Sequence, residues 1–314
     1  MGISTRKKKT GISTSKQIVP YVLLVPFIVA FGILIAYPIY KVVADSLYKA
    51  SFLNPLLRQF VGWANFSWLF SFKLFDPRWS YFVSVLGRTL LWVMISVSLK
   101  VVVGLLGASL LNNKFLMGKK FYRTLVIVPW AIPWSMGAMM WAWTFNSQFG
   151  VLNSLLSRMH LITGPVTFLA NPVSAFLSTV VVDVWAGLPF VFIMLLAGLQ
   201  AIPDTLYEAA SIDGAGTLTR MFKITIPLLR PVLFTVSLLS LIWTFNSFDV
   251  IWILTGGGPL RATETLPIAI YKTAFRYLRF GGIGRASAMT VAQVVIVSFI
   301  MIFYVRALKH MEAQ

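Results

Sequence analysis

From Gln17 to Tyr40 the chain carries no charged residue, a run longer than the core of a soluble domain uses. An α-helix needs about 20 apolar residues to cross the hydrocarbon of a bilayer. Six windows meet that length: Gln17–Val43, Tyr81–Leu111, Thr124–Phe145, Ser174–Leu199, Pro231–Leu254 and Ala286–Val305. Lipid offers a backbone amide no hydrogen-bond partner, so every window is expected to be helical. The fold class that follows is an all-α membrane protein with six transmembrane helices.

Composition agrees. Hydrophobic residues make up 58% of the 314 and charged ones only 11%, where a soluble domain carries roughly 25% charged residues. The first apolar run follows Arg6-Lys7-Lys8-Lys9 and Lys16, as in a secretory signal. It exceeds the roughly 7–15 residues of a signal core, and no Ala-x-Ala site closes it, so it is read as a membrane helix. The chain has no cysteine, which excludes disulfides, thiol catalysis and cysteine-ligated metal. Its two histidines, His160 and His310, have no metal-like neighbours, and no metal site is expected. A net charge of +18 in a soluble protein would suggest nucleic acid. Here the basic residues sit in loops and tails, so they are assigned to topology and membrane lipid headgroups, with no nucleic-acid partner.

With the N-terminus inside, interior segments hold 14 Lys and Arg residues and exterior segments 10. The bias is strongest in the first two interior segments, which commonly dominate insertion. An even number of helices then places both termini in the cytoplasm of a bacterial or archaeal cell. The chain divides into a basic tail (1–16), a first helix with its external loop (17–80), a membrane core (81–308) containing an interior loop (200–230), and a short tail (309–314). The exterior loops are long and carry Trp63, Phe66, Trp68, Phe70 and Trp79, suited to an aromatic belt at the headgroups or to partner docking. Gly256-Gly257-Gly258-Pro259 is a sharp turn after the fifth span.

The most polar interior stretch lies between spans four and five. Pro203 and Asp204 suit the first turn of a helix, and Gly214 suits its end. Small residues Ala209, Ala210 and Ser211 allow close approach of another surface, and Glu208 and Asp213 add charge for a basic groove. Then comes Phe222-Lys223-Ile224-Thr225-Ile226-Pro227; Pro227 and Pro231 are expected to bend the chain back into span five.

Glu208-Ala209-Ala210, Gly214 and Ile224-Thr225-Ile226-Pro227 resemble the EAA loop of binding-protein-dependent ABC importer permeases. The fuller run through Ser211, Ile212, Asp213 and Ala215, with Phe222 and Pro231, is similar to the carbohydrate branch, of the maltose and glycerol-3-phosphate permease type. The similarity spans about 88–288, including Arg123, Pro129, Trp143, Phe145, Gly150, Asn153, Trp185, Pro189, Phe190, Gln200, Phe248, Asp249 and Tyr271.

The resemblance implies a type I importer permease fold in which Glu208, Ala209, Ala210, Asp213 and Gly214 form a cytoplasmic coupling helix. It further implies a second, similar but different permease, two ATP-binding subunits and an external substrate-binding protein. The chain itself has no Gly-x-x-x-x-Gly-Lys-Ser/Thr loop; Gly118-Lys119-Lys120 lacks the earlier glycine and the hydroxyl. It is therefore read as a non-enzyme without cofactor, ATP and Mg being held by the partners.

A charge at the bilayer centre costs at least about 2.5–3.5 kcal/mol, so each one needs a reason. Arg88 lies near the outer end of its span and is expected to snorkel. Lys100 lies deeper; it faces the bundle interior or a watery cavity, or pairs with a carboxylate such as Asp183. Asp183 and Asp249 resemble family positions, while Arg88 stands where an Asn is common. Lys100 and five basic residues between Arg261 and Arg285 point to an acidic or phosphorylated sugar. Trp130, Trp134, Trp141, Trp143, Trp185, Trp243 and Trp252, with Asn246 and Asp249, offer stacking faces and hydroxyl partners along a sugar path. An ion-coupled secondary transporter is the alternative; it would use the buried charges as a relay, but the loop at 200–230 has no purpose in it.

Overall fold

The computed structural model describes residues 14–51, 58–69, 77–113, 116–276 and 282–312. Arg6, Lys7, Lys8, Lys9, Phe70, Lys73, Lys114 and Arg279 lie outside these, as do the side chains of Lys16, Arg78, Trp79, Lys309 and His310. The first span is a single rod of α1 (Thr14–Phe31), a π turn (Gly32–Ala36) and α2 (Tyr37–Asp45). Its side chains from Tyr21 to Tyr40 face outward almost without exception, as expected where lipid replaces a protein core. A two-residue hairpin follows, β1 (Tyr48–Lys49) antiparallel to β2 (Gln59–Phe60) with Tyr48 opposite Phe60. Asn65, on α3 (Ala64–Leu69), fastens it by donating to the carbonyls of Ser46 and Tyr48 at 2.8 and 3.0 Å.

The core is built around α4 (Pro77–Asn112). After it come α5 (Lys119–Ile127), a 3₁₀ turn (Val128–Ala131), α6 (Trp134–Thr144), α7 (Val151–Arg158) and α8 (Pro172–Gln200). The window at 124–145 is therefore not one straight helix. Pro133 supplies no amide proton, Ile132 before it is forced to an extended φ/ψ of −93°/126°, and the two helical pieces meet at 101°. Five helices are long and apolar enough to cross a bilayer, or six with this bent pair counted as one span.

The chain continues through α9 (Asp204–Ile212), α10 (Thr217–Arg220), a π turn (Met221–Thr225) and α11 (Ile226–Phe245). In place of a bend at Pro227 and Pro231, helix runs from Thr217 to Phe245, and the widened π turn just ahead takes up the distortion. The expected fifth window to Leu254 is also interrupted. Residues 246–248 leave the helix, and α12 (Asp249–Leu254) restarts it. The last elements are α13 (Leu266–Tyr271), a π turn (Lys272–Arg276) and α14 (Gly282–Glu312).

The α4–α8 pairing is the most extensive in the bundle. One apolar cluster joins Phe82 and Trp92 of α4 to Val180, Ile251, Leu266 and Met289. A second, toward the α9 end, joins Ala108 to Val191, Leu195, Leu229 and Val236. Together they hold α4, α8 and α11 side by side, while a third cluster of Val250, Leu254, Phe145 and Trp141 seats α12 against α6.

Candidate functional site

Three places collect the residues of interest. The first is α9. Gly214 has φ +77°, and the amide of Ala215 reaches the carbonyl of Ala210 at 2.8 Å while that of Gly214 reaches Ser211 at 3.1 Å. That is a Schellman cap, which a left-handed residue makes possible. Beyond the cap the chain doubles back, and two side-chain links fasten α9 to the root of α11. Tyr207 Oη and Thr225 Oγ1 lie 3.0 Å apart; Arg220 donates to Ser211 Oγ at 2.9 Å, and that hydroxyl donates to the Tyr207 carbonyl at 2.7 Å.

No residue of α9 is buried. Glu208, Ala209, Asp213 and Gly214 are exposed and Ala210 half-buried. Around them Ile212 is 87% exposed, Leu218 74% and Phe222 66%. Acidic and protruding apolar side chains thus share one exposed surface. A cleft of about 600 Å³ runs alongside, between Asn112 and Asn113 at the end of α4 and the Asp204, Tyr207 and Glu208 side of α9.

The second place is the break at 246–248. A cavity of about 430 Å³ opens there, walled by Trp130, Trp134, Ile242, Trp243, Asn246, Ser247, Phe248 and Asp249, within the roughly 300–1,000 Å³ typical of small-molecule sites. Trp243 packs edge-on against Phe190 at 4.7 Å, and Phe190 in turn meets Trp130 at 6.2 Å. Asn246 is held from both ends of its amide: it donates to the Ile242 carbonyl at 2.8 Å and accepts from Gln293 of α14 at 3.0 Å. Gln293, Ile242 and Ser247 are residues that the sequence alone does not single out. An uncharged amide inside an apolar span was the one available signal for Gln293.

The third place is the interior of the bundle. Lys100 Nζ stands 2.6 Å from Asp183 Oδ2 and donates to Thr244 Oγ1 at 2.8 Å. Lys100 thus faces the bundle interior and pairs there with Asp183. Both side chains are closed off from the cavity wall. Arg88, half-buried near the outer end of its span, donates through Nε to the Glu264 carbonyl at 3.4 Å. Glu264 is itself buried against Lys272 Nζ at 3.0 Å.

Among the tryptophans, Trp141 and Trp185 pack on each other at 5.9 Å. Trp143 points outward onto Phe149 at 5.1 Å, and Trp252 stacks on Phe248 at 5.5 Å. The sugar-path candidates thus separate: Trp243, Asn246 and Asp249 share a cavity with Trp130 and Trp134, whereas Trp141, Trp143 and Trp185 stand apart from it. No cluster of His, Asp or Glu able to hold a metal occurs among the described residues.

A bundle of membrane-spanning helices, with an aromatic cavity at a broken helix and a bare short helix at one end, is the architecture of a transport component. Residues 100–313 match the family of binding-protein-dependent transport system inner membrane components, and the chain belongs to that family as a multi-pass permease. It is 37% identical over 286 residues to the trehalose/maltose transport system permease protein of Thermococcus litoralis, covering 91% of this chain and 92% of that one. A probable ABC transporter permease protein of Brucella suis is 33% identical over 287 residues, covering 91% and 95%. The fold is shared with a bacterial ABC transporter involved in the import of the acidic polysaccharide alginate. There the TM-score is 0.76 at 22% identity, over 95% of this chain and 98% of that one.

Proposed function

We propose that this chain forms one half of the translocation path of an ATP-driven sugar importer. A second, similar but different permease completes the path, and an external binding protein delivers the sugar. Of two separate ATP-binding subunits, one grips α9 and its cap through Glu208, Ala209, Ala210, Asp213 and Gly214 and the other grips the second permease, and their closure drives the bundle between outward and inward access. Both termini and α9 then face the cytoplasm. The observation that carries this reading is the bare, doubly fastened α9, whose acidic and apolar surface stays exposed among the described residues.

The substrate we infer is a neutral sugar, from one ring to a short oligosaccharide. Trp130, Trp134 and Trp243 would take its apolar faces, and Asn246 and Asp249 its hydroxyls. The trehalose/maltose permease of Thermococcus litoralis supports that class. Of the basic residues that favour an acidic or phosphorylated sugar, Lys100 and Lys272 are paired with Asp183 and Glu264, and the cavity wall itself carries a carboxylate, Asp249. An ion-coupled relay loses the same charges.

The test is to purify the assembly from host membranes and reconstitute it in vesicles with radiolabelled trehalose or maltose. The reading expects a co-purifying chain with a phosphate loop, and uptake that requires ATP inside. Uptake driven by a proton or sodium gradient without ATP would overturn it.

A further inference from the structure

The Lys100 ammonium ties three helices together at one level. Its Nζ is 2.6 Å from Asp183 on α8 and 2.8 Å from the Thr244 hydroxyl on α11, while its own stem rises from α4. All three residues are buried. The arrangement has its own accommodation. Gly187 lies one turn beyond Asp183, where an added Cβ would sit 2.8 Å from Lys100 Cε.

The position of the knot sets its consequence. Residues 201–225, which contain α9, connect α8 directly to α11, so any displacement of α9 enters the bundle through those two helices. Thr244 is two residues before Asn246, where α11 ends and the cavity wall begins. Between the knot and α9 the three helices touch through apolar side chains such as Leu195, Leu229 and Val236. Apolar contacts of that kind are non-directional and allow small shear movements between packed helices. A charge-assisted hydrogen bond fixes distance and direction. Packing alone does not call for a charged pair here, since apolar residues of similar volume commonly serve a buried site as well or better.

We propose that Lys100 is a positioning residue for transport, holding Asp183 and Thr244 so that α4, α8 and α11 move as one body and a displacement at α9 arrives at the Asn246–Asp249 wall. This rests on the reading of α9 as the coupling helix.

The chain contains no cysteine, so a thiol placed at Ile242 in the cavity wall is its single maleimide target, and labelling is read on this chain after the subunits are separated by electrophoresis. The complete assembly, in proteoliposomes, is labelled with a maleimide probe with and without Mg-ATP. In the parent, ATP is expected to change the labelling rate about fivefold, the signature of a shifted population. Thr244→Val keeps the ion pair and cuts only the tie to α11. The proposal expects ATP hydrolysis within about twofold of the parent, with the labelling change reduced to less than about twofold. Lys100→Met/Asp183→Leu, which removes the charges and keeps the volume, is expected to behave likewise. A full labelling response in both variants would overturn the proposal. A parent wall insensitive to ATP would instead sink the coupling reading beneath it.

Discussion

Tyr207 on α9 and Thr225 at the root of α11 share a hydrogen bond of 3.0 Å, so the bare helix is fastened to the span that follows it as well as continuous with the one before. Push on α9 and both α8 and α11 feel it.

Tyr207→Phe removes that bond and little else. A net hydrogen bond contributes about 1 kcal/mol, so assembly with the ATP-binding subunit should weaken about fivefold. Titrating the purified permease pair with the ATP-binding subunit measures this; equal affinity for parent and variant would show that the link does not orient α9.

Gly214→Ala meets no steric neighbour but forces a side chain into φ +77°. The expected cost is about 1 kcal/mol, seen as weaker assembly of the same subunit. Gly216→Ala, at φ −68° and in equally open space, is the control and should be near neutral.

Gln293→Leu withdraws the donor that holds the Asn246 side chain while leaving the cavity wall otherwise intact. The expected result is a KM for sugar uptake raised about fivefold with kcat little changed, the pattern of lost uniform binding. Initial uptake rates of trehalose or maltose across a concentration series give both constants. A fall in kcat at constant KM would assign Gln293 to the transport stroke instead.

Lys100→Met strands Asp183 in the bundle interior, a change that typically costs about 3–5 kcal/mol when one member of a buried pair is lost. Thermal unfolding in detergent should register it as a large drop. Lys100→Met/Asp183→Leu should recover most of that loss, because the cost lies in the unpaired charge.

Ser211→Cys provides a single thiol on an exposed surface. An impermeant maleimide should label it in inside-out vesicles and spare it in intact cells. Labelling from outside would reverse the topology and remove the ATP-driven mechanism.

The amino-acid order alone determined the membrane class, the approximate spans and the short helix at 203–214. Each of these rests on local physics: apolar length against bilayer thickness, a helix start at Pro203 and Asp204, and a left-handed residue at Gly214. The break at Pro133 was visible as a proline and still read as one span, because hydropathy averages over a bend. Lys100 and Asp183 were both conspicuous as charges in apolar windows, but 83 positions separate them, and no local rule joins residues on different helices. Only the tertiary packing of α4 on α8 and α11 decided that Lys100 reaches Asp183 and Thr244 and stands apart from the cavity. The same packing selected Trp130, Trp134 and Trp243 from a longer set of tryptophans. Which face of a helix meets which neighbour depends on interlocking side chains across the whole bundle, information that is spread over every span at once.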